Sequence, residues 1–171
     1  MSGALTAPML VGALLLCAAG VLKLRAPEAA ARAARTLGIP ASDGLVRLFA
    51  IAELALGAVC ALDPIRPLAV AVGITYACFA VIAALLARQQ AACGCFGEDQ
   101  APASIAQSAF SATLAATAIA ASIWGAHGIP YIVARSPLEA AATLIGLAGA
   151  VYATALAYTE LPRAWSAWSP Q

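Results

Sequence analysis

Five apolar stretches dominate the chain: Met9 to Leu24, Leu45 to Leu62, Leu68 to Leu86, Ile105 to Trp124 and Leu138 to Tyr158. Each is close to the roughly 20 residues that carry a helix across a bilayer. Such a pattern leaves little choice of fold. Hydrocarbon offers backbone N–H and C=O groups no partner, so apolar segments of this length satisfy themselves as helices. All ten prolines (Pro8, Pro27, Pro40, Pro64, Pro67, Pro102, Pro130, Pro137, Pro162 and Pro170) fall outside the stretches, where a missing N–H costs nothing. With 63% hydrophobic residues, 10% charged residues and a mean hydropathy of +0.90, the 171 residues leave no room for a large soluble domain beside the spans. The expected fold is all-α, an integral membrane bundle of four core transmembrane helices plus a fifth, forming one domain over residues 1–171. Small residues such as Gly146, Gly149 and Ala150 allow close helix approach in lipid. A net charge of +1 with scattered arginines leaves no footprint for nucleic acid, and the bilayer is the first partner.

Ala18-Ala19-Gly20 resembles a signal cleavage site, but no Lys or Arg precedes the apolar run, so the first stretch is expected to remain a helix. Residues 27–38 begin with Pro27, end with Gly38 and hold good helix formers between them. They predict a short helix along the interface, or a solvated connector helix. Counting loops alternately puts Lys23, Arg25, Arg32, Arg35, Arg47, Arg88 and Arg163 on one side and only Arg66 and Arg135 on the other. The positive-inside rule assigns the first side to the cytoplasm.

That side also carries the loop 89–103, with Cys93-Gly94-Cys95-Phe96-Gly97. Three of the five cysteines, Cys17, Cys60 and Cys78, lie inside apolar stretches, where they read as small hydrophobes filling the bundle. The loop pair carries the chemistry. A disulfide between Cys93 and Cys95 needs Cα atoms about 4.4–6.8 Å apart and a bent backbone, which Gly94 permits. The small ring predicts strain, and strained disulfides exchange readily with an incoming thiolate. Gly97 adds a second flexible point, Phe96 anchors the loop to the bundle or the interface, and Pro102 and Ser104 begin the fourth helix. Two other readings stay open, a carrier of soft metal ions through the two thiolates and a permanent structural disulfide. A closed zinc site would need four ligands, and the single histidine, His127, falls on the opposite side as a solvated loop residue, so no resident metal is expected.

Glu53 lies nine residues into the second stretch, about 13 Å at 1.5 Å per residue, and so near the bilayer centre. An acid at that depth should face the bundle interior and is by default functional. It is expected either to move protons for a redox step or to serve as a neutral strut, bonded to Tyr76 or Thr75 in the third stretch or Gln107 or Ser111 in the fourth. Lys23 and Arg25 end the first stretch on the cysteine side. They either snorkel to head groups or act on a nearby thiol or an anionic partner.

Three signatures in order, Lys23-Leu24-Arg25-Ala26-Pro27, Ala52-Glu53-Leu54-Ala55-Leu56-Gly57 and Cys93-Gly94-Cys95-Phe96-Gly97, resemble the MauE family of methylamine utilisation proteins, a branch of the DoxX-like membrane proteins. The likeness covers roughly residues 8 to 124. It implies a multi-pass inner-membrane protein that helps process, transport or mature the disulfide-rich small subunit of methylamine dehydrogenase beside a thioredoxin-like protein. The implied activity is membrane-linked thiol–disulfide exchange by Cys93 and Cys95, with Glu53 as a further catalytic candidate and Gly94, Phe96, Gly97, Lys23 and Arg25 in support. It also implies an extracytoplasmic cysteine loop, against the charge count. By architectural analogy with DsbB and vitamin K epoxide reductase, a quinone is the cofactor this reading admits, although no residue of the sequence marks its site. The rival readings are the soft-metal carrier and a non-catalytic membrane scaffold.

Overall fold

A computed structural model describes residues 2–92 and 103–168, with side chains over 3–92 and 103–157. Among the described residues the regular elements are seven α-helices: α1 (Ser2–Arg25), α2 (Pro27–Thr36), α3 (Asp43–Leu62), α4 (Arg66–Arg88), α5 (Ile105–Trp124), α6 (Ile129–Val133) and α7 (Pro137–Trp168). Five of them, α1, α3, α4, α5 and α7, are long and apolar enough to cross a membrane, so the protein is a multi-pass membrane protein of all-α fold. Helix α2 is the short element after the first span.

Two antiparallel pairs, α1 with α3 and α4 with α5, make the bundle, and α1 joins them by also packing on α5. The α1–α3 crossing is close because a glycine sits at each end of it. Gly20 faces the Ala50 carbonyl and the Leu54 backbone, while Gly57 faces the Ala13 carbonyl and Cys17. Polar side chains bind helix to helix inside the apolar body. Tyr76 of α4 donates to the Gly12 carbonyl of α1 at 2.6 Å, and Ser108 of α5 donates to the Ala80 carbonyl of α4 at 2.8 Å.

Burial along α3 is the reverse of a soluble helix: Val46, Ala50, Glu53, Gly57, Cys60 and Ala61 are inside, while Leu48, Phe49, Ile51, Val59 and Leu62 are outside. Lipid tails are as apolar as leucine, so large side chains gain nothing by turning inward, and small ones let backbones meet. The same holds for Val81 of α4, Ile123 of α5 and Ile145 of α7, which all face outward.

Local chemistry sets the elements around the cysteine segment. Pro27 opens α2 at its first turn. The helix closes in a Schellman motif, with Gly38 at φ +78°, its N–H on the Arg35 carbonyl at 2.9 Å and the Ile39 N–H on the Ala34 carbonyl at 3.0 Å. Helix α4 ends the same way, but Gln90 takes the left-handed position at φ +53°, with the Ala91 N–H on the Leu86 carbonyl at 3.0 Å. Helix α5 starts in a capping box, where Ser104 Oγ accepts from the Gln107 N–H at 3.2 Å and Gln107 Oε1 accepts from the Ser104 N–H at 3.0 Å. Ser104→Ala is expected to cost about 1 kcal/mol of stability, and Ser104→Thr much less, read as midpoints of unfolding in detergent micelles.

Three sequence expectations change. The prolines do not all bracket helices, because Pro8 lies inside α1 and Pro162 inside α7. Each forgoes one backbone bond near a helix end. Helix α7 extends through Trp168, ten residues beyond the apolar stretch that predicts it. Finally, Cys78 is exposed on the outer face of α4, whereas Cys60 is buried and Cys17 is half-buried, with its Sγ 3.7 Å from the Leu54 carbonyl.

Candidate functional site

The polar centre of the bundle is an ion pair between α1 and α3. Lys23 Nζ lies 2.6 Å from Glu53 Oε1 and 2.8 Å from Oε2, and the two residues are only 6% and 3% exposed. Helix direction explains why they meet. A helical side chain leans toward its own N-terminus, so Lys23, near the C-terminal end of α1, leans back into the membrane. Glu53 on the antiparallel α3 leans the other way, toward the cysteine side. The two long side chains converge. Lys23 Nζ also lies 4.5 Å from the centroid of the Phe79 ring, and Phe79 meets Tyr76 edge-on with centroids 6.0 Å apart, so the α1–α3 pair is bonded to α4.

This arrangement corrects the sequence expectation for both residues. Lys23 does not snorkel to the head groups, and Glu53 takes its partner from α1. Of the partners expected for Glu53, Tyr76 donates to the Gly12 carbonyl, Thr75 to the Ala71 carbonyl at 2.9 Å, and Gln107 caps α5. Ser111 is buried in α5. A single-span estimate of depth cannot see the pair, because it ignores the reach of a lysine leaning inward along the helix. The readable signal is two opposite charges on sequential antiparallel spans, each leaning toward the other. Arg25 is exposed at the end of α1 and stays outside this cluster.

Cys93, Gly94, Cys95, Phe96 and Gly97 lie outside the described residues. The residues that flank them are described. Ala103 donates its N–H to the Ala91 carbonyl at 2.8 Å, so the chain entering and the chain leaving the cysteine segment are joined. Ala103 is buried in a cluster with Ala33 of α2 and Leu86 of α4, against which Leu37, Ile82 and Ala91 also pack. No sequence signal marks this clamp, because it is built largely of alanines.

Three residues of that cluster, Ala33, Leu37 and Ile82, also line a cavity of about 310 Å³ between α2, the start of α3 and α4. Its wall is apolar except for Lys23, and Phe79 completes it beside the ammonium. The buried cation and the anchor of the cysteine segment thus border one space. His127 sits at the far end of the bundle. It is half-buried rather than free in solvent, its ring stacked on Tyr131 at 4.0 Å and its backbone N–H on Thr6 Oγ1 at 3.1 Å. Among the described residues no three His, Cys, Asp or Glu side chains gather as a metal site would require.

A family model described as methylamine utilisation protein MauE matches residues 2–128, which hold α1 to α5, the ion pair and the cysteine segment. No curated protein and no solved structure matches the chain.

Proposed function

From the premise that the chain belongs to the MauE family, we infer that it serves methylamine utilisation as a membrane-embedded thiol–disulfide redox or maturation protein. Cys93 and Cys95 exchange electrons with a thioredoxin-like partner or a maturing extracytoplasmic protein, of the kind represented by the methylamine dehydrogenase small subunit. What supports this reading is the joining of Ala103 to Ala91 at the rim of the bundle. It holds both ends of the thiol-bearing segment together, on a cluster that shares Ala33, Leu37 and Ile82 with the Lys23 cavity. Exchange then follows the usual path: a thiolate attacks a disulfide sulfur, a mixed disulfide forms, and the second thiol releases the partner. In this reading Gly94 gives the pair the freedom to close a small ring, Gly97 adds a second flexible point, and Phe96 is the anchor of the segment. Lys23 and Glu53 act on the bundle side, holding α1, α3 and α4 in register beneath the segment, and Arg25 offers an exposed cation to a partner at the same face.

The proposed location is the inner membrane with the cysteine segment extracytoplasmic. This side follows from the family reading; with Lys23 paired inside the bundle, the charge count still has six cations on that face against two. Labelling intact cells with a membrane-impermeant maleimide, before and after reduction, reads sidedness and redox state together. Replacing one of Cys93 and Cys95 by serine is expected to trap a mixed disulfide with the partner, and replacing both to abolish exchange. Partner oxidation unchanged in all three variants rules out the exchange reading.

A further inference from the structure

We propose that the cavity between α2, α3 and α4 binds the ring of a lipid-soluble quinone, with Lys23 donating a hydrogen bond to a ring carbonyl. Four observations carry this. Ile39, Leu45 and Phe49 of its lining are 49%, 51% and 55% exposed, an apolar rim on a membrane bundle that suits a lipid-soluble ligand. The volume of about 310 Å³ lies at the low end of small-molecule pockets, enough for a ring whose apolar tail remains in lipid. The one charged group on the wall, Lys23, has three N–H donors and two hydrogen bonds, both to Glu53, so its ammonium can donate one more in exchange for part of its contact with the Phe79 ring. Phe79 beside it offers a ring face or edge to a planar ligand.

Charge selects the ligand class. Glu53 already neutralises Lys23, so an anionic head group or fatty acid would bring an uncompensated charge into a low-dielectric site. A neutral ring with carbonyl acceptors needs one donor and no counter-ion. The redox use of the site rests on the thiol-exchange reading, whereas ligand binding does not. When both hold, two S–H bonds of Cys93 and Cys95 break and one S–S bond forms. The two electrons and two protons released reduce the quinone to the quinol, one proton ending on each ring oxygen.

The test uses the full chain in nanodiscs of neutral phospholipid and a photoactivatable short-chain azidoquinone, with crosslinks located by mass spectrometry. Crosslinks are expected on the C-terminal end of α1, α2 and the loop after it, the first turns of α3 and the second half of α4. Ala34→Phe and Ala30→Phe, which fill the cavity from α2 and leave Lys23 and the cysteines unsubstituted, should each lower labelling at least roughly tenfold, the scale of a pocket misfit. Labelling should persist when Cys93 and Cys95 are both serine, so loss of thiol exchange in that variant judges the exchange reading alone. Crosslinks elsewhere, or undiminished labelling in a folded filled variant, overturn the proposal. Displacement of the probe by oleate or phosphatidylglycerol overturns it in favour of an anionic lipid. Should neither filled variant fold, the crosslink map of the unchanged chain decides.

Discussion

Lys23→Met is expected to destabilise the protein by about 3–5 kcal/mol, the cost of leaving a buried charge without its partner. Methionine keeps the length and apolar stem of lysine, so the change isolates the ammonium. It strands Glu53, 3% exposed and holding Lys23 through both carboxylate oxygens. Glu53→Gln should cost less, for two reasons. The amide still offers one acceptor oxygen, and Lys23 lies two residues from the end of α1, so its ammonium can swing out to the interface. Lys23→Met combined with Glu53→Met should recover most of the loss, because paired removal replaces two charges with apolar volume. Unfolding in detergent micelles, analysed as a double-mutant cycle, measures this. Additive single effects would show that the two side chains do not stabilise each other.

The second large effect is expected at the α1–α3 crossing. A Cβ added to Gly57 would sit 2.6 Å from the Ala13 carbonyl oxygen and 2.8 Å from Cys17 Sγ. The first neighbour is backbone and cannot rotate away, so Gly57→Ala must push the helices apart. A loss of about 1–3 kcal/mol is the usual scale of such overpacking, and Gly57→Leu should exceed it. Gly20→Ala meets the Ala50 carbonyl oxygen at 2.8 Å and should behave alike. At Gly73 the close atoms belong to the Ile119 side chain, which can turn, so alanine there should cost less. Gly146 and Gly149 of α7 have open space around them, and alanine should be neutral or helpful there through helix propensity. The contrast between Gly57 and Gly146, measured as unfolding midpoints side by side, separates close packing from glycine content as the cause.

Which features were legible in the sequence follows from how locally each is encoded. The spans follow from hydrophobic run length, and Pro27, Gly38 and Ser104 act within a turn of where they stand, so the helix starts and stops could be read one at a time. Glu53 had to face inward on solvation grounds alone. Its partner was hidden because Lys23 has the look of a terminal cation, and only the opposed lean of two antiparallel helices brings it down to the acid. Helix face was harder still. Helix α4 is apolar on every side, so nothing in its pattern told Cys78 on the outside from Val72 on the inside. The motif Cys93-Gly94-Cys95 is plain in the sequence, but the cluster that anchors its flanks is made of Ala33, Leu86, Ala91 and Ala103, residues that carry no signal of their own.

The Lys23–Glu53 pair also bears on how the chain enters the membrane. Inserted alone, the α3 segment would carry an unpaired carboxylate near the middle of the bilayer, at a cost of about 2.5–3.5 kcal/mol on insertion scales. The preceding span brings the compensating charge, only 30 positions earlier in the chain. The first two spans therefore suit entry as one hairpin, with the earlier helix acting as an internal chaperone for the later one. A bond that holds the finished bundle together would then first have served its assembly.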